Sequence, residues 1–434
     1  MNREELSRVR VDLEEFLFSL TDRMGRSERR AAMSAYVSGL LLDGDRKSIE
    51  PMAARLVDSA SEIQAMRQRL SACVTEADWS DEEAFSRLAV CFERELPGVE
   101  AFVVDDTGFP KKGTYSVGVE RQYSGTLGRV ENCQVATSLH LAGEAGSGCI
   151  GLRLYLPESW TNDRTRCKRA GVPSSLPFRR KWENALDLLD AALRAGVRRH
   201  VVLADAGYGD ASEFRDGLDA RGMAYVVTVS GTALVWPPDS RPRLPAFRKQ
   251  PGRPATRYRD ARHTPESIKR VAERLEYRTV CWREGSKGWQ RSRFAAQRVQ
   301  LAPRRPYRAA PSDPVWLISQ WPDGESEPVK YALSNLPAST SLRALVRWLK
   351  LRWRVERDYQ ELKSEVGLDH FEGRSWRGFH HHAALCAVAH GFLALQRALF
   401  PPEDAAMDAS DGSEVSPADL APNDRRLSAM PPNA

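Results

Sequence analysis

The hydrophobic period of this chain changes once, near residue 100, and that change restricts what the remainder can fold into. Up to Glu95 the apolar residues recur at helical spacing: Leu13, Phe16, Leu17 and Leu20 share one face, and Ala35-Tyr36-Val37 through Leu40-Leu41-Leu42 form another. The pattern predicts a helical N-terminal domain over residues 1–97. From Ala101 the period drops to that of strands, at 101–105, 130–141 and 149–156, and three consecutive strands suggest an antiparallel meander. A helix over 181–195 follows, with Ala185, Leu188, Leu189, Ala192 and Leu193 on one face, then strand 201–204, helix 211–221 and strand 224–229. The order βββαβαβ predicts an α/β sheet of mixed direction over 98–231. After Gly231 the run Trp236-Pro-Pro-Asp-Ser-Arg-Pro-Arg-Leu-Pro is too rich in proline for any element interior, so the domain is interrupted there. Short strand patterns at 277–283, 289–300, 315–319 and 331–333 make 232–338 a β-rich insertion. Helical pattern resumes at 341–367 and 379–399, within a segment taken as 339–400, and 401–434 reads as a disordered tail.

Length and charge narrow the class. The 434 residues suffice for roughly two to four domains. The formal charge of +6 is unremarkable, yet it is the sum of unlike parts. Residues 1–100 hold 14 basic and 20 acidic residues, a net of −6, and 401–434 hold two arginines against seven acids, a net of −5. Residues 241–310 carry 20 Lys and Arg against five acids, a net of +15, which points to a polyanionic partner. The seven cysteines form no C-x-x-C pair, which argues against a zinc site or a disulfide framework. The opening residues include Glu4 and Glu5, unlike a secretory leader, and the best apolar run, 383–395, is short and contains His390. The expectation is a soluble cytoplasmic protein with no nucleotide cofactor, since the glycines of 113–128 are too scattered for a phosphate-binding loop.

Acidic residues directly follow two of the buried strands: Asp105-Asp106 after Phe102-Val103-Val104, and Asp205 after Val201–Ala204. Carboxylates at the ends of adjacent strands converge above the sheet edge, where hard oxygen donors suit Mg²⁺ or Mn²⁺. The competing reading is that such residues cap a helix or turn. A third element is the run Arg352-Trp353-Arg354-Val355-Glu356-Arg357-Asp358-Tyr359-Gln360-Glu361-Leu362-Lys363. On a helix Arg352, Glu356 and Lys363 share a face, which is also how a solvated, salt-bridged helix looks. His380-His381-His382 resembles a metal site superficially, but adjacent helical side chains diverge by about 100°. That run is expected on a surface or DNA-facing helix end.

Together these segments resemble the DDE transposases of bacterial insertion sequences, specifically the insertion-sequence family 701 group within the family-4-like set. The resemblance rests on Val104-Asp-Asp-Thr-Gly-Phe-Pro-Lys-Lys-Gly113, Ser116–Gly125, Glu131–Val135, Leu203-Ala-Asp-Ala-Gly-Tyr208, Arg352-Trp-Arg-Val-Glu356 and Gly367–Trp376, and spans roughly 10–397. It implies an RNase H-like core interrupted by the β-rich insertion. The family motif Y-x2-R-x3-E-x6-K falls on Arg352, Glu356 and Lys363, with Leu349 where tyrosine is expected. The implied metal ligands are Asp106, Asp205 and Glu356. An acid followed by threonine points to Asp106, and Asp105 remains the alternative, because neighbouring residues on a strand face opposite ways. The separation of 151 positions between Asp205 and Glu356 fits an insertion between the second and third carboxylates.

By this resemblance two Mg²⁺ or Mn²⁺ ions would serve phosphodiester cleavage and strand transfer at transposon ends. Lys111, Lys112, Arg352 and Lys363 would hold phosphates, and Trp316 would stack on a flipped base if the pathway includes a hairpin. The partners would be terminal inverted repeats and target duplex, with a homodimer on DNA and a nucleoid location in a bacterial cytoplasm. Two other readings share the fold: a domesticated, non-catalytic DNA-binding regulator, and a nuclease without strand transfer.

Overall fold

The structure, a computed structural model, describes residues 3–125, 127–237, 239–243, 258–285, 288–302 and 313–400. Most of the arginine-rich stretch between Trp236 and Tyr258, and the acidic tail 401–434, therefore lie outside the described residues.

Five helices come first: α1 (Arg3–Thr21), α2 (Ser27–Leu41), α3 (Ile49–Arg55), α4 (Ile63–Thr75) and α5 (Asp81–Glu95). The Ser80 side chain caps α5 by accepting from the Glu83 N–H at 3.1 Å, and Ala84, Phe85, Leu88, Ala89 and Phe92 form its buried stripe. Four strands follow: β1 (Val99–Pro110), β2 (Glu120–Ser124), β3 (Arg129–Gly143) and β4 (Ser147–Leu154). The short β2 lies in a stretch where no strand is expected from the sequence pattern. Next come α6 (Glu158–Thr161), α7 (Arg164–Arg169), α8 (Lys181–Ala195), β5 (Val201–Ala204), α9 (Ala206–Gly209), α10 (Ser212–Ala220) and β6 (Tyr225–Val229). Helix α8 stops at Gly196, whose φ of 104° is the left-handed conformation that glycine supplies at helix ends.

The remaining strands are β7 (Leu234–Trp236), β8 (Glu266–Ser267), β9 (Arg278–Gly285), β10 (Gly288–Leu301), β11 (Val315–Trp321) and β12 (Lys330–Ser334), with α11 (Ile268–Ala272) after β8. Three helices, α12 (Leu342–Leu351), α13 (Arg354–Ser364) and α14 (Trp376–Leu399), complete the order. The helical pattern expected as one element over 341–367 is broken at Arg352-Trp353, a corner between α12 and α13.

The described strands form one mixed sheet in the order β2-β3-β1-β5-β6-β12-β11-β10-β7-β8, with β4 also paired to β3 and β9 to β10. β1, β5 and β6 run parallel at its centre, and β3 and β12 flank them antiparallel. Because side chains alternate, the central strands feed two cores. Phe102, Val104, Val202, Ala204 and Val227 join the larger one with α8, α5 and α14. Ala101, Val103, Leu203 and Val226 join a smaller one closed by Leu345, Trp348 and Leu351 of α12 and Val355 of α13. The sheet thus has an α8 face and an α13 face.

Helix α14 is buried along nearly its whole length and packs against β4, α5, α2 and α4. This corrects the expectation for His380, His381 and His382, which are at most 5 % exposed. The helix is apolar all round and the N-terminal helices cover it, so its polar residues must find partners inside. His380 Nε2 accepts from the Leu154 N–H at 3.2 Å. His381 pairs with the Trp79 carbonyl at 2.9 Å and stacks on its ring, and His382 pairs with the Tyr36 hydroxyl at 2.9 Å. The three rings face three different elements. Burial pushes the His382 imidazole down to about 4, so it is a neutral core residue at neutral pH.

Candidate active site

Strands β1 and β5 are paired in parallel with Ala101 opposite Val201 and Val104 opposite Ala204, so Asp105 and Asp205 come next side by side where the pairing stops; Asp205 follows the end of β5, whereas Asp105, expected after its strand, lies within β1, which runs on to Pro110 against β3. Neighbouring strands are about 4.8 Å apart, and in-register residues of a parallel pair point to the same face. Asp105 follows the alternation of Val103 and falls on the α13 face, as Asp205 does after Ala204. Asp106 takes the α8 face.

The contacts of Asp105 and Asp106 follow this division, while Asp205 is close enough to both faces to feel the charges of Asp106 and Arg352. Arg352, at the corner between α12 and α13, donates from Nη1 to Asp105 Oδ2 at 2.9 Å and from Nη2 to Glu356 Oε1 at 2.8 Å. One guanidinium thus joins the middle of β1 to the first turn of α13. On the other face Asp106 Oδ2 accepts from Lys181 Nζ, at the first residue of α8, at 2.7 Å. Asp106 Oδ1 accepts from the Tyr208 hydroxyl, which also lies 3.2 Å from Thr137 Oγ1. Asp205 caps α9, accepting from the Tyr208 N–H at 3.4 Å, so the capping role considered from sequence is present alongside its place at the strand end.

Burial drives the Asp105 carboxyl from its ordinary 3.8 up to about 7; Arg352 opposes the rise and the Asp205 charge adds to it. Asp205 is raised as well, first by burial and then by the Asp106 charge. Crowded, partly desolvated carboxylates have the character of a hard-cation site. Among the described residues, no group of three or more His, Cys, Asp or Glu stands close enough to hold a metal ion. Glu356, the third carboxylate expected from sequence, is turned to Arg352 and its side chain is 66 % exposed. The donor chemistry therefore fits a divalent cation, with two acids adjacent and the third tethered one guanidinium away.

Helix α13 is held by a buried polar chain absent from the sequence expectations. The Tyr359 hydroxyl meets Ser138 Oγ at 2.6 Å, Ser138 meets His140 Nε2 at 3.0 Å, and His140 Nδ1 meets Asp358 Oδ2 at 2.6 Å. Ser147 donates to Asp358 Oδ1 at 2.6 Å. These bonds fix the rotation of α13 over β3 and β4, which sets where Arg352 and Glu356 point. The signal for His140 and Asp358 was faint: one ionisable residue in a strand otherwise buried, and one acid in a helix full of charge. Tyr208 and Lys181 were also missed, although Tyr208 closes the quoted Leu203–Tyr208 segment.

The other expected site residues are spread more widely. Lys363 Nζ donates to the Gly108 carbonyl at 3.0 Å, three residues beyond Asp105 on β1. Lys111 Nζ donates to the Phe371 carbonyl at 3.0 Å, and Lys112 lines a cavity beside it. Trp316 on β11 is opposite Ser334, which in turn is opposite Val226 and then Leu203, so three strand spacings, about 14 Å, separate it from β5. Its indole N–H donates to the Pro337 carbonyl at 3.0 Å. Leu349, where the motif expects tyrosine, packs against the smaller core.

Two comparisons bear on this arrangement. A stretch of 134 residues aligns at 28% identity with a probable transposase for insertion sequence element IS701 of Microchaete diplosiphon, covering 31% of this chain. The match spans only 32% of that relative's length. The family described as DDE superfamily endonuclease matches residues 19–289, which include β1, β5, Asp105, Asp106 and Asp205 and end before α13. That match covers more than half of the chain, which belongs to the DDE superfamily endonucleases.

Proposed function

We propose that this protein is a transposase that binds the ends of a mobile element and catalyses metal-dependent DNA cleavage and strand transfer. The observation that carries the reading is the side-by-side placement of Asp105 and Asp205 just past the last paired residues of two parallel strands, with Glu356 tied to Asp105 through Arg352. In this reading Asp105, Asp205 and Glu356 hold the metal, and Asp106 is a positioning residue for Lys181 and Tyr208. Bound Mg²⁺ would act as a Lewis acid on the scissile phosphate and lower the pKa of an attacking water or 3′-hydroxyl.

The chain's own groups bind and orient the strand. Arg352 presents a planar fork suited to a phosphate, and Lys363 sits beside β1 where the flanking backbone would run. In this scheme the N-terminal helices and the basic segment between Asp205 and Glu356 grip the duplex, and 98–231 with 339–400 form an RNase H-like core. Joining two ends calls for two copies on the DNA. A hairpin step would require Trp316 to give up its bond to Pro337 or to stack with that bond in place.

The test is to incubate purified protein with Mg²⁺ and a duplex carrying the DNA that flanks its own gene. Wild type is expected to cut and join, and Asp205→Ala and Glu356→Ala to do neither while still binding. If both variants cut as well as wild type, the mechanism is wrong; cutting without joined products would favour a nuclease. Separate replacement of Asp105 and Asp106 distinguishes the ligand from its neighbour, since a positioning residue should leave measurable residual cutting.

A further inference from the structure

Beyond the end of β1 the chain builds a second concavity, of about 530 Å³, that the cleavage reading does not use. Three segments converge on it: Arg46 after α2, the loop 110–116 after β1, and the loop 369–374 before α14. The loops are fastened to each other. Lys111 donates to the Phe371 carbonyl at 3.0 Å, the Val117 N–H donates to the Arg374 carbonyl at 3.1 Å, and the Asn132 amide donates to the Lys111 and Gly113 carbonyls at 2.5 and 3.0 Å. The cavity is therefore a built feature of the fold.

Its lining is cationic and aromatic. Arg46, Lys111, Lys112 and Arg374 face two acids, Asp369 and Glu372, and Glu372 is already paired with Arg46 at 2.7 Å. Tyr115 stands at this lining 58 % exposed, with the guanidinium carbons of Arg169 and Arg374 at 5.3 and 5.6 Å from its ring centroid. An exposed aromatic ring among guanidinium groups fits a ligand that has both a flat π-face and a negative charge. A nucleotide has both. A base inside a duplex is stacked on its neighbours and cannot enter a pocket, so the fit is to an unpaired nucleotide.

We propose that this cavity binds an unpaired nucleotide of the DNA substrate, with its base on Tyr115 and its phosphate between Lys112 and Arg374. The proposal rests on the reading that the substrate is DNA and adds a subsite to it. Lys111 is six residues beyond Asp105, just past the end of β1, so the subsite is at most about 20 Å from the carboxylates, roughly six base steps along a strand. It would hold a strand end or an unstacked base while the phosphodiester is cut.

The probe is a thymidine hexanucleotide with one 2-aminopurine, titrated into the full-length protein without metal. Wild type should bind it and quench its fluorescence. Tyr115→Ala should bind about 5- to 150-fold more weakly and lose the quench, and Tyr115→Phe should retain both. Lys112→Ala should lower the slope of log K against log salt by about 0.7, whereas Tyr115→Ala should leave that slope unchanged. Tyr115 is exposed, and an unchanged melting temperature would show that its variants fold. The proposal is overturned if wild type does not bind the hexanucleotide, or if Tyr115→Ala binds and quenches like wild type. Cutting of the flanking-end duplex by wild type together with either result would remove the subsite and leave the cleavage reading intact. Normal hexanucleotide results with no cutting by wild type would do the reverse.

Discussion

Neighbouring residues on one strand should respond to the same substitution with opposite signs. Asp105 is a buried acid with its side chain 15 % exposed, raised from 3.8 to about 7, so folding favours its protonated form. Between those values the native state binds more protons than the unfolded chain, and stability falls as pH rises through the window. The difference of about three pKa units, at 1.36 kcal/mol each, caps the penalty near 4 kcal/mol above pH 7. Asp105→Asn fixes the neutral form and removes it. At an unfolding entropy of roughly 2.1 cal/mol/K per residue, a chain this size shifts by about 1 °C per kcal/mol, so the metal-free variant should melt up to about 4 °C higher at pH 8 and only about 1 °C higher at pH 4.5. Asp106→Asn instead weakens charge-assisted bonds to Lys181 and Tyr208 and should lose about 1–3 kcal/mol. The assay is thermal melting of wild type and both variants from pH 4.5 to 8 in EDTA, repeated with Mg²⁺. Mg²⁺ should raise the wild-type midpoint by mass action and leave Asp105→Asn nearly unmoved. Parallel pH curves for wild type and Asp105→Asn, or stabilisation by Asp106→Asn instead, would refute the division of the two faces.

Three further outcomes test the supports of the site. Glu361 accepts from Arg397 at 2.6 and 2.5 Å, Arg357 at 2.9 Å and His390 at 3.0 Å, so Glu361→Ala removes the acceptor of the buried His390 and of two partly exposed arginines and should cost about 1–3 kcal/mol in urea unfolding. Burial raises the Glu361 carboxyl, but its bonds to His390, Arg397 and Arg357 outweigh that and hold it well below the ordinary range, so the contribution is fully present above about pH 4.5 and is lost progressively as pH falls below it. A methyl group on Gly209 would stand 1.9 Å from the Thr228 carbonyl oxygen, so Gly209→Ala must push α9 off β6; a drop of at least about 3 kcal/mol and displaced Asp205 are expected, read by melting and by cutting. His140→Ala loosens the chain to Asp358 and should slow cutting by about 100-fold through misplacement of α13, with flanking-end affinity unchanged in a gel-shift titration.

The central elements were legible because a single local signal marks each. Helix α8 and strand β5 have the residues their patterns predict, since amphipathic spacing with a closing glycine, and four apolar residues before an acid, leave little room for alternatives. The histidine run was misread because adjacent helical residues usually include an exposed one, and only the packing of distant α2 and α5 onto α14 buries all three. The choice between Asp105 and Asp106 stayed open for a related reason. Sequence alternation shows that they face apart, but which face is covered by α13 depends on how residues such as Arg352, 247 positions from Asp105, pack on the sheet.

Arg352 shows how those long-range choices bear on chemistry. Read along the helix it is the ordinary partner of Glu356, four residues on, and an exposed pair of that kind contributes little. The break between α12 and α13 turns the same guanidinium toward β1, where it also reaches Asp105 at 2.9 Å and becomes the only cation bonded to both carboxylates among the contacts described. It opposes the rise that burial imposes on Asp105, yet Asp105 still ends near 7, so one guanidinium does not neutralise the strand ends. Further positive charge is favourable there, and the candidates on the reaction path are a divalent cation among the acids with Arg352 released toward the phosphate. Arg352→Lys tests this exchange. A lysine retains the charge but lacks the fork that spans two oxygens, so Mg²⁺-dependent stabilisation should survive while cutting falls by tenfold or more. Loss of the Mg²⁺ response in Arg352→Lys would mean that the guanidinium organises the acids for the ion, and that the two do not exchange.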